Sequence, residues 1–193
     1  MQTDLLSCHE TSSCAEFNEQ EKLAEDNNKK TYESIQELEL QANLFTFKDK
    51  TSWTVPKVSS GVYTIWNQDE FLYVGMSGKN INEMNIENIR SEGKKRGLIT
   101  RLESHWSGQR SGDQFCVYIS DLYVLQNLSS QDIVLISRRE KRMDDYVRDY
   151  IRNNLSFRYI LMKNGKDCFS LEKFIQIQGL NGETPSINGK TNQ

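Results

Sequence analysis

The stretch Gly61 to Met76 limits the fold more than any other part of the chain. GVYTIW and FLYVGM are two runs of β-branched and aromatic residues around the short polar connection Asn67-Gln68-Asp69-Glu70. Such side chains lose rotamer freedom in a helix but pack well on a pleated surface, so the pattern predicts an antiparallel hairpin. Strand alternation places Gly61 and Tyr63 on one face of the first strand, and Tyr73 and Gly75 on one face of the second. Pairing can then bring both tyrosines to a shared face, and the glycines beside them would leave room for a ligand backbone to approach. The plainer reading is a hairpin that only supplies core.

The rest of the pattern surrounds this hairpin with helices and further strands. Residues 78–96 are polar and read as a loop with one weak helical turn. GLITRLESHW reads as a short amphipathic helix with Leu98, Leu102 and Trp106 toward the core, ended by Gly108, and SGQRSGD reads as a loop. QFCVYISDLYVL, aromatic and β-branched, predicts a third strand. Residues 130–154 predict one long helix with Arg138, Arg139, Lys141 and Arg142 on its charged face. FRYILM predicts a fourth strand, and CFSLEKFIQIQ a last helix with Gly179 at its C′ position. The fold class is therefore α+β, a small central antiparallel sheet flanked by helices. No internal repeat is present.

Composition divides the chain at about residue 44. Residues 1–44 carry ten acids and three bases, a charge of −7, which leaves 21 bases and 17 acids, +4, for residues 45–193. Residues 1–18 are short, polar and aperiodic, so they are expected to be disordered and dispensable for catalysis. Residues 19–42 carry a sparse apolar stripe (Leu23, Ile35, Leu38, Ala42) and are expected to form a helix packed on the domain. The mild basicity of the remainder permits phosphate binding without demanding it. The start of the chain lacks the charged and apolar regions of a signal peptide, and no run reaches the ~20 apolar residues of a membrane span. An intracellular, cytoplasmic protein is expected. Cys8, His9 and Cys14 are three ligands without paired zinc spacing, so Cys8, Cys14, Cys116 and Cys168 read as reduced thiols, two of them buried.

Three signals carry chemistry. The first is the tyrosine pair on the hairpin. The second is Arg101 with His105, four apart and thus on one helix face. Arg can clamp a phosphate with two parallel hydrogen bonds, and His exchanges a proton near neutral pH. The bland alternative is a solvated helix face. The third is Glu172, a carboxylate among Leu171, Phe174, Ile175 and Ile177. It is costly there unless paired or bound to a hard cation such as Mg2+; the bland alternative is an ordinary Glu paired with Lys173 or Arg158.

Taken together, Gly61-Val62-Tyr63, Tyr73-Val74-Gly75, Arg101-x3-His105, Glu172 and Pro185-x2-Asn188 resemble the motif order of the GIY-YIG nucleases. The resemblance covers residues 61–188, about two-thirds of the chain. Val62 and Val74 stand where the family name has isoleucine, and His105 matches a variant seen in restriction-type members at a place where the family otherwise often has Tyr. The resemblance implies a metal-dependent endonuclease acting on nucleic acid, double-stranded DNA in the first instance. Glu172 would hold one Mg2+ or Mn2+, and Arg101 would bind the scissile phosphate. Tyr63 would orient or deprotonate the attacking water with His105 as proton acceptor. Tyr73 and Asn188 would shape the site and help fix the water. A double-strand cut would call for a homodimer on DNA, since one site cuts one strand. His105 is expected to reach the Tyr63 hydroxyl directly or through one water, with activity rising through a pKa near ~6.5–7.5. Two other readings stay open: a nucleic-acid-binding module that no longer cuts, and a scaffold whose acidic N-terminal helix recruits a protein.

Overall fold

The computed structural model describes residues 29, 31, 33–38 and 42–188. The expectations for residues 1–28, including the disordered tail and Cys8, His9 and Cys14, lie outside the described residues. The fold is α+β. Four strands, β1 (Phe45–Thr46), β2 (Val58–Asn67), β3 (Glu70–Ser77) and β5 (Leu155–Met162), form an antiparallel sheet in the order β1-β5-β2-β3. A two-residue strand, β4 (Arg96–Gly97), lies parallel to the start of β2. β2 and β3 form the expected hairpin, turning at Gln68 (φ 55°) and Asp69.

β2 is central, and residues 58–65 are buried on both of its faces. Two apolar layers result. One holds Tyr63, Ile65 and Phe157 against Leu98 and Leu102 of α2 (Leu98–Ser107), Phe115 and Ile119 of α3 (Gln114–Ile119), and Val147 and Ile151 of α5 (Met143–Asn154). The other holds Val62, Val74 and Ile160 against Cys168, Leu171 and Ile175 of α6 (Gly165–Gln178). Residues 33–38 are helical, and Leu38 is fully buried in this second layer with Ile35 and Ala42 at its margin. The expected packing on the domain is therefore present for residues 33–38, while most of the rest of the expected 19–42 helix lies outside the described residues. Cys116 and Cys168 are buried free thiols. Among the described residues, no helix is long and apolar enough to cross a membrane.

Two expectations about elements are overturned. The third strand over 114–125 is instead helix α3 followed by a wide π turn, Ser120–Val124. Phe115, Cys116 and Ile119 are its buried residues, and that spacing serves one side of a helix rather than alternate faces of a strand. Packing against α2 and α5 overrides the β propensity of the aromatic residues. The single helix over 130–154 is two helices, α4 (Ser130–Ser137) and α5. Arg139, at φ 60°, takes the left-handed C′ position of α4. Its N–H donates to Ile136 O and that of Glu140 to Leu135 O, which closes a Schellman motif. The Asp145 carboxylate then accepts the Arg142 N–H and starts α5. The polar stretch 78–96 contains a six-residue helix, α1 (Ile86–Ser91).

Candidate active site

The hairpin register sets the floor of the site. Tyr63 pairs with Gly75 and Ile65 with Tyr73, so the tyrosines are diagonal neighbours on one face, with ring centroids 6.3 Å apart. Gly75 makes that arrangement fit. A Cβ built there would lie 2.3 Å from the Tyr63 hydroxyl and 2.5 Å from its Cζ. At Gly61 a Cβ would meet the Ile160 carbonyl oxygen at 2.1 Å and Leu98 Cδ1 at 2.6 Å. The space beside both glycines is thus filled by the protein itself, which corrects the expectation that they admit a ligand backbone.

Helix α2 supplies the next two groups. Leu98, Leu102 and His105 turn inward, while Arg101 stays exposed. The two functional candidates therefore share a helix edge but not an environment. His105 is 1% exposed, and its Nε2 lies 2.8 Å from the Tyr63 hydroxyl. Direct contact, one of the two expected arrangements, is the one found. The other ring nitrogen, Nδ1, lies 2.7 Å from Asp113 Oδ2, which also accepts a hydrogen bond from Ser104 Oγ at 2.8 Å. Asp113 was not a candidate from the sequence. It follows His105 by eight residues across a glycine-containing loop, and no local pattern marks it. Cys116 Sγ, a ring nitrogen of His105 and an Asp113 carboxylate oxygen all fall within 4.8 Å of one another. The thiol is pushed up strongly by burial, however, and it donates to the His105 carbonyl at 3.7 Å, so it behaves as a packed neutral group.

Burial dominates the proton affinities here. It pushes the Tyr63 phenol well above its ordinary value, and lifts Tyr73 to about 12. Burial also pushes His105 below the usual imidazole value, outweighing the upward pull of Asp113. For Asp113 burial pushes upward, but the hydrogen bonds from His105 and Ser104 hold it lower overall.

Glu172 is half-buried on α6, between the buried Leu171 and Ile175. Burial raises its pKa, against the smaller opposing effects of Lys173, the Met76 N–H and Arg101. Among the described residues it has no ion pair within 4.0 Å, so the bland pairing with Lys173 or Arg158 is not made. A partly dehydrated carboxylate that makes no ion pair within 4.0 Å among the described residues fits a hard divalent metal ion, for which oxygen is the proper ligand. The field of Arg101 acts on Tyr63, Tyr73, His105 and Glu172 alike, and that of Glu172 on both tyrosines. Five of the six candidates therefore converge on one neighbourhood.

Asn188 has a different task. Its Oδ1 accepts the Val74 N–H and its Nδ2 donates to the Val74 carbonyl, both at 2.7 Å. Ser186 and Ile187 likewise donate to the Phe71 and Leu72 carbonyls. The amide thus ties the outer edge of β3, between Tyr73 and Gly75, with one of its two Nδ2 hydrogens and one of its two Oδ1 lone pairs. Among the described residues, surface concavities lie elsewhere, including those between Tyr123 and Tyr146, around Trp66 and Arg158, and around Lys57 and Arg90. None is lined by the tyrosine pair, Arg101 or Glu172. In comparisons with known proteins, no family model, no curated protein and no solved structure matches this chain.

Proposed function

We propose that this chain is a divalent-metal-dependent endonuclease of the GIY-YIG type, hydrolysing a phosphodiester of double-stranded DNA. The observation that carries the reading is the 2.8 Å hydrogen bond between the Tyr63 hydroxyl and His105 Nε2, within the shared field of Arg101 and Glu172. Mg2+ or Mn2+ held by Glu172 would supply Lewis-acid stabilisation of charge on the scissile phosphate. The exposed Arg101 binds a phosphate oxygen with its guanidinium fork and opposes the charge that grows there. Tyr73, half-buried beside it, orients the attacking water. Tyr63 forms the floor. As its proton passes to His105 Nε2, its oxygen takes one from the water, so the imidazole becomes imidazolium and the phenol is restored. Asn188 holds β3 in register and thereby holds Tyr73. Two copies of the chain would act together to cut both strands.

The test is incubation of the pure protein with supercoiled plasmid in Mg2+, in Mn2+ and in EDTA. Nicking or linearisation with metal and none in EDTA supports the proposal. Equal cutting in EDTA sinks it. Tyr63 is only 1% exposed, and that burial favours one second reading, a module that binds nucleic acid without cutting. Retarded DNA mobility with no nicking in either metal would select it.

A further inference from the structure

We propose that Asp113 is the positioning residue of the Tyr63–His105 pair, fixing His105 with its proton on Nδ1 so that Nε2 is bare toward the Tyr63 hydroxyl. The consequence for turnover rests on the nuclease reading; the tautomer does not.

Asp113 is 2% exposed, and a carboxylate is rarely buried so deeply without a task. Its Oδ2 takes two donors, Ser104 Oγ at 2.8 Å and His105 Nδ1 at 2.7 Å. An ionised carboxylate only accepts, so the proton of the second bond must sit on Nδ1. Burial favours the neutral ring, in which a proton on Nδ1 leaves Nε2 with a lone pair, so the 2.8 Å contact with Tyr63 has only one polarity: the phenol donates. The opposite tautomer would set a bare Nδ1 against a carboxylate oxygen in a dry site. The groups facing His105 are few. Tyr63 comes from β2 and Tyr73 from β3. Arg101 comes from its own helix. Asp113 comes from the preceding loop, and the neutral Phe115 ring and Cys116 thiol from α3. Among them only Asp113 can both set the tautomer and oppose the positive charge His105 gains when Tyr63 gives up its proton. The transfer moves one proton from Oη to Nε2, and the charge on the imidazolium is matched by the carboxylate already on the other side of the ring.

The tautomer can be read directly by two-bond proton–nitrogen correlation spectra of the full-length, nitrogen-labelled protein. It has two histidines, and His9→Gln assigns the remaining signals to His105. The expected spectrum has a protonated Nδ1 and a bare Nε2. A proton on Nε2 overturns the proposal, and this arm needs no variant at Asp113. In Asp113→Asn the amide can turn its NH2 to Nδ1, so Nε2–H should appear. Plasmid nicking should then fall about 10²-fold or more in kcat, with DNA affinity unchanged, and the acidic limb should move to lower pH. Ser104→Ala, which removes the other donor, should leave the tautomer as it is. An unchanged tautomer and pH profile in Asp113→Asn would also overturn the assignment. A wild-type protein that shows the Nδ1–H tautomer yet never cuts plasmid refutes the nuclease reading and leaves the tautomer assignment standing.

Discussion

Gly75→Ala puts the packing of the site to a direct test, because its sign runs against backbone propensity. Gly75 does not have positive φ. A strand glycine with ordinary dihedrals is normally improved by alanine, by about 0.4–1 kcal/mol, since the unfolded chain loses freedom. Here the new methyl would sit 2.3 Å from the Tyr63 hydroxyl, 2.5 Å from Cζ and 2.9 Å from Tyr73 Cε1. None of these atoms can swing away cheaply: Tyr63 is buried, and its hydroxyl is held by His105. Overpacking of this kind costs about 1–3 kcal/mol. Displacing the hydroxyl leaves Nε2 without a donor in a dry site, about 1–3 kcal/mol more. After the entropic gain is subtracted, a net loss of about 1–5 kcal/mol is expected. Guanidinium denaturation followed by tryptophan fluorescence would read it as a lower Cm. A double-mutant cycle sharpens the test. Tyr63→Phe alone should cost about 1–3 kcal/mol, but much less in the Gly75→Ala background, where the bond is already lost and the nearest clashing atom is gone. Gly75→Ala at wild-type stability, or full additivity with Tyr63→Phe, would refute this account of the glycine.

Four further outcomes are expected. Arg101→Ala should lower plasmid nicking about 10²–10³-fold while shifting stability by less than about 0.5 kcal/mol, as for an exposed residue; Arg101→Lys should not restore the rate, because a point charge lacks the fork. Glu172→Gln should abolish nicking. Burial raises the folded-state pKa of Glu172 above its ordinary 4.5, so the stability tied to it is present below that value and lost as pH rises. The glutamine variant should therefore equal or exceed wild type at pH 7, with the difference closing in acid. The kcat–pH profile should rise through an apparent pKa below the ~6.5 of a free imidazole, lower than the sequence alone implies, because burial depresses His105. His105 is held neutral, so stability too is lost as pH falls below the unfolded value, and a titration monitored by circular dichroism would show the onset. Arg139→Gly should raise Cm, by up to about 1 kcal/mol in stability, since Arg139 occupies a left-handed C′ position that glycine takes without strain.

Local pattern was enough for the elements whose neighbours on the chain are also their partners in space. The hairpin could be read because alternation and a short turn act over sixteen residues. Helices α2 and α6 could be read from their apolar stripes, with Gly108 and Gly179 marking their ends at φ 70° and 80°. β5 could be read from the aromatic and β-branched residues of FRYILM. α3 could not, because a six-residue segment rich in aromatics fits a strand or a helix equally well; its inward face was chosen by α2 and α5, which lie elsewhere in sequence. The break at Arg139 was hidden for a related reason: a charged residue at a C′ position carries none of the signal a glycine would.

The sequence by itself determined which chemical groups exist and roughly which elements carry them: two tyrosines on a hairpin, Arg101 and His105 one turn apart, and a carboxylate on an apolar helix. Tertiary structure decided what each group can do. It buried His105 and left Arg101 in solvent, although the two are four residues apart on one helix. It brought Asp113 to the far side of the imidazole, tied the Asn188 amide to the edge of β3, and filled the space beside Gly75 with the Tyr63 hydroxyl. The physical reason is common to all four. Proton affinity and hydrogen-bond polarity depend on desolvation and on the nearest few ångströms, and those are set by chain segments that meet only in the folded state.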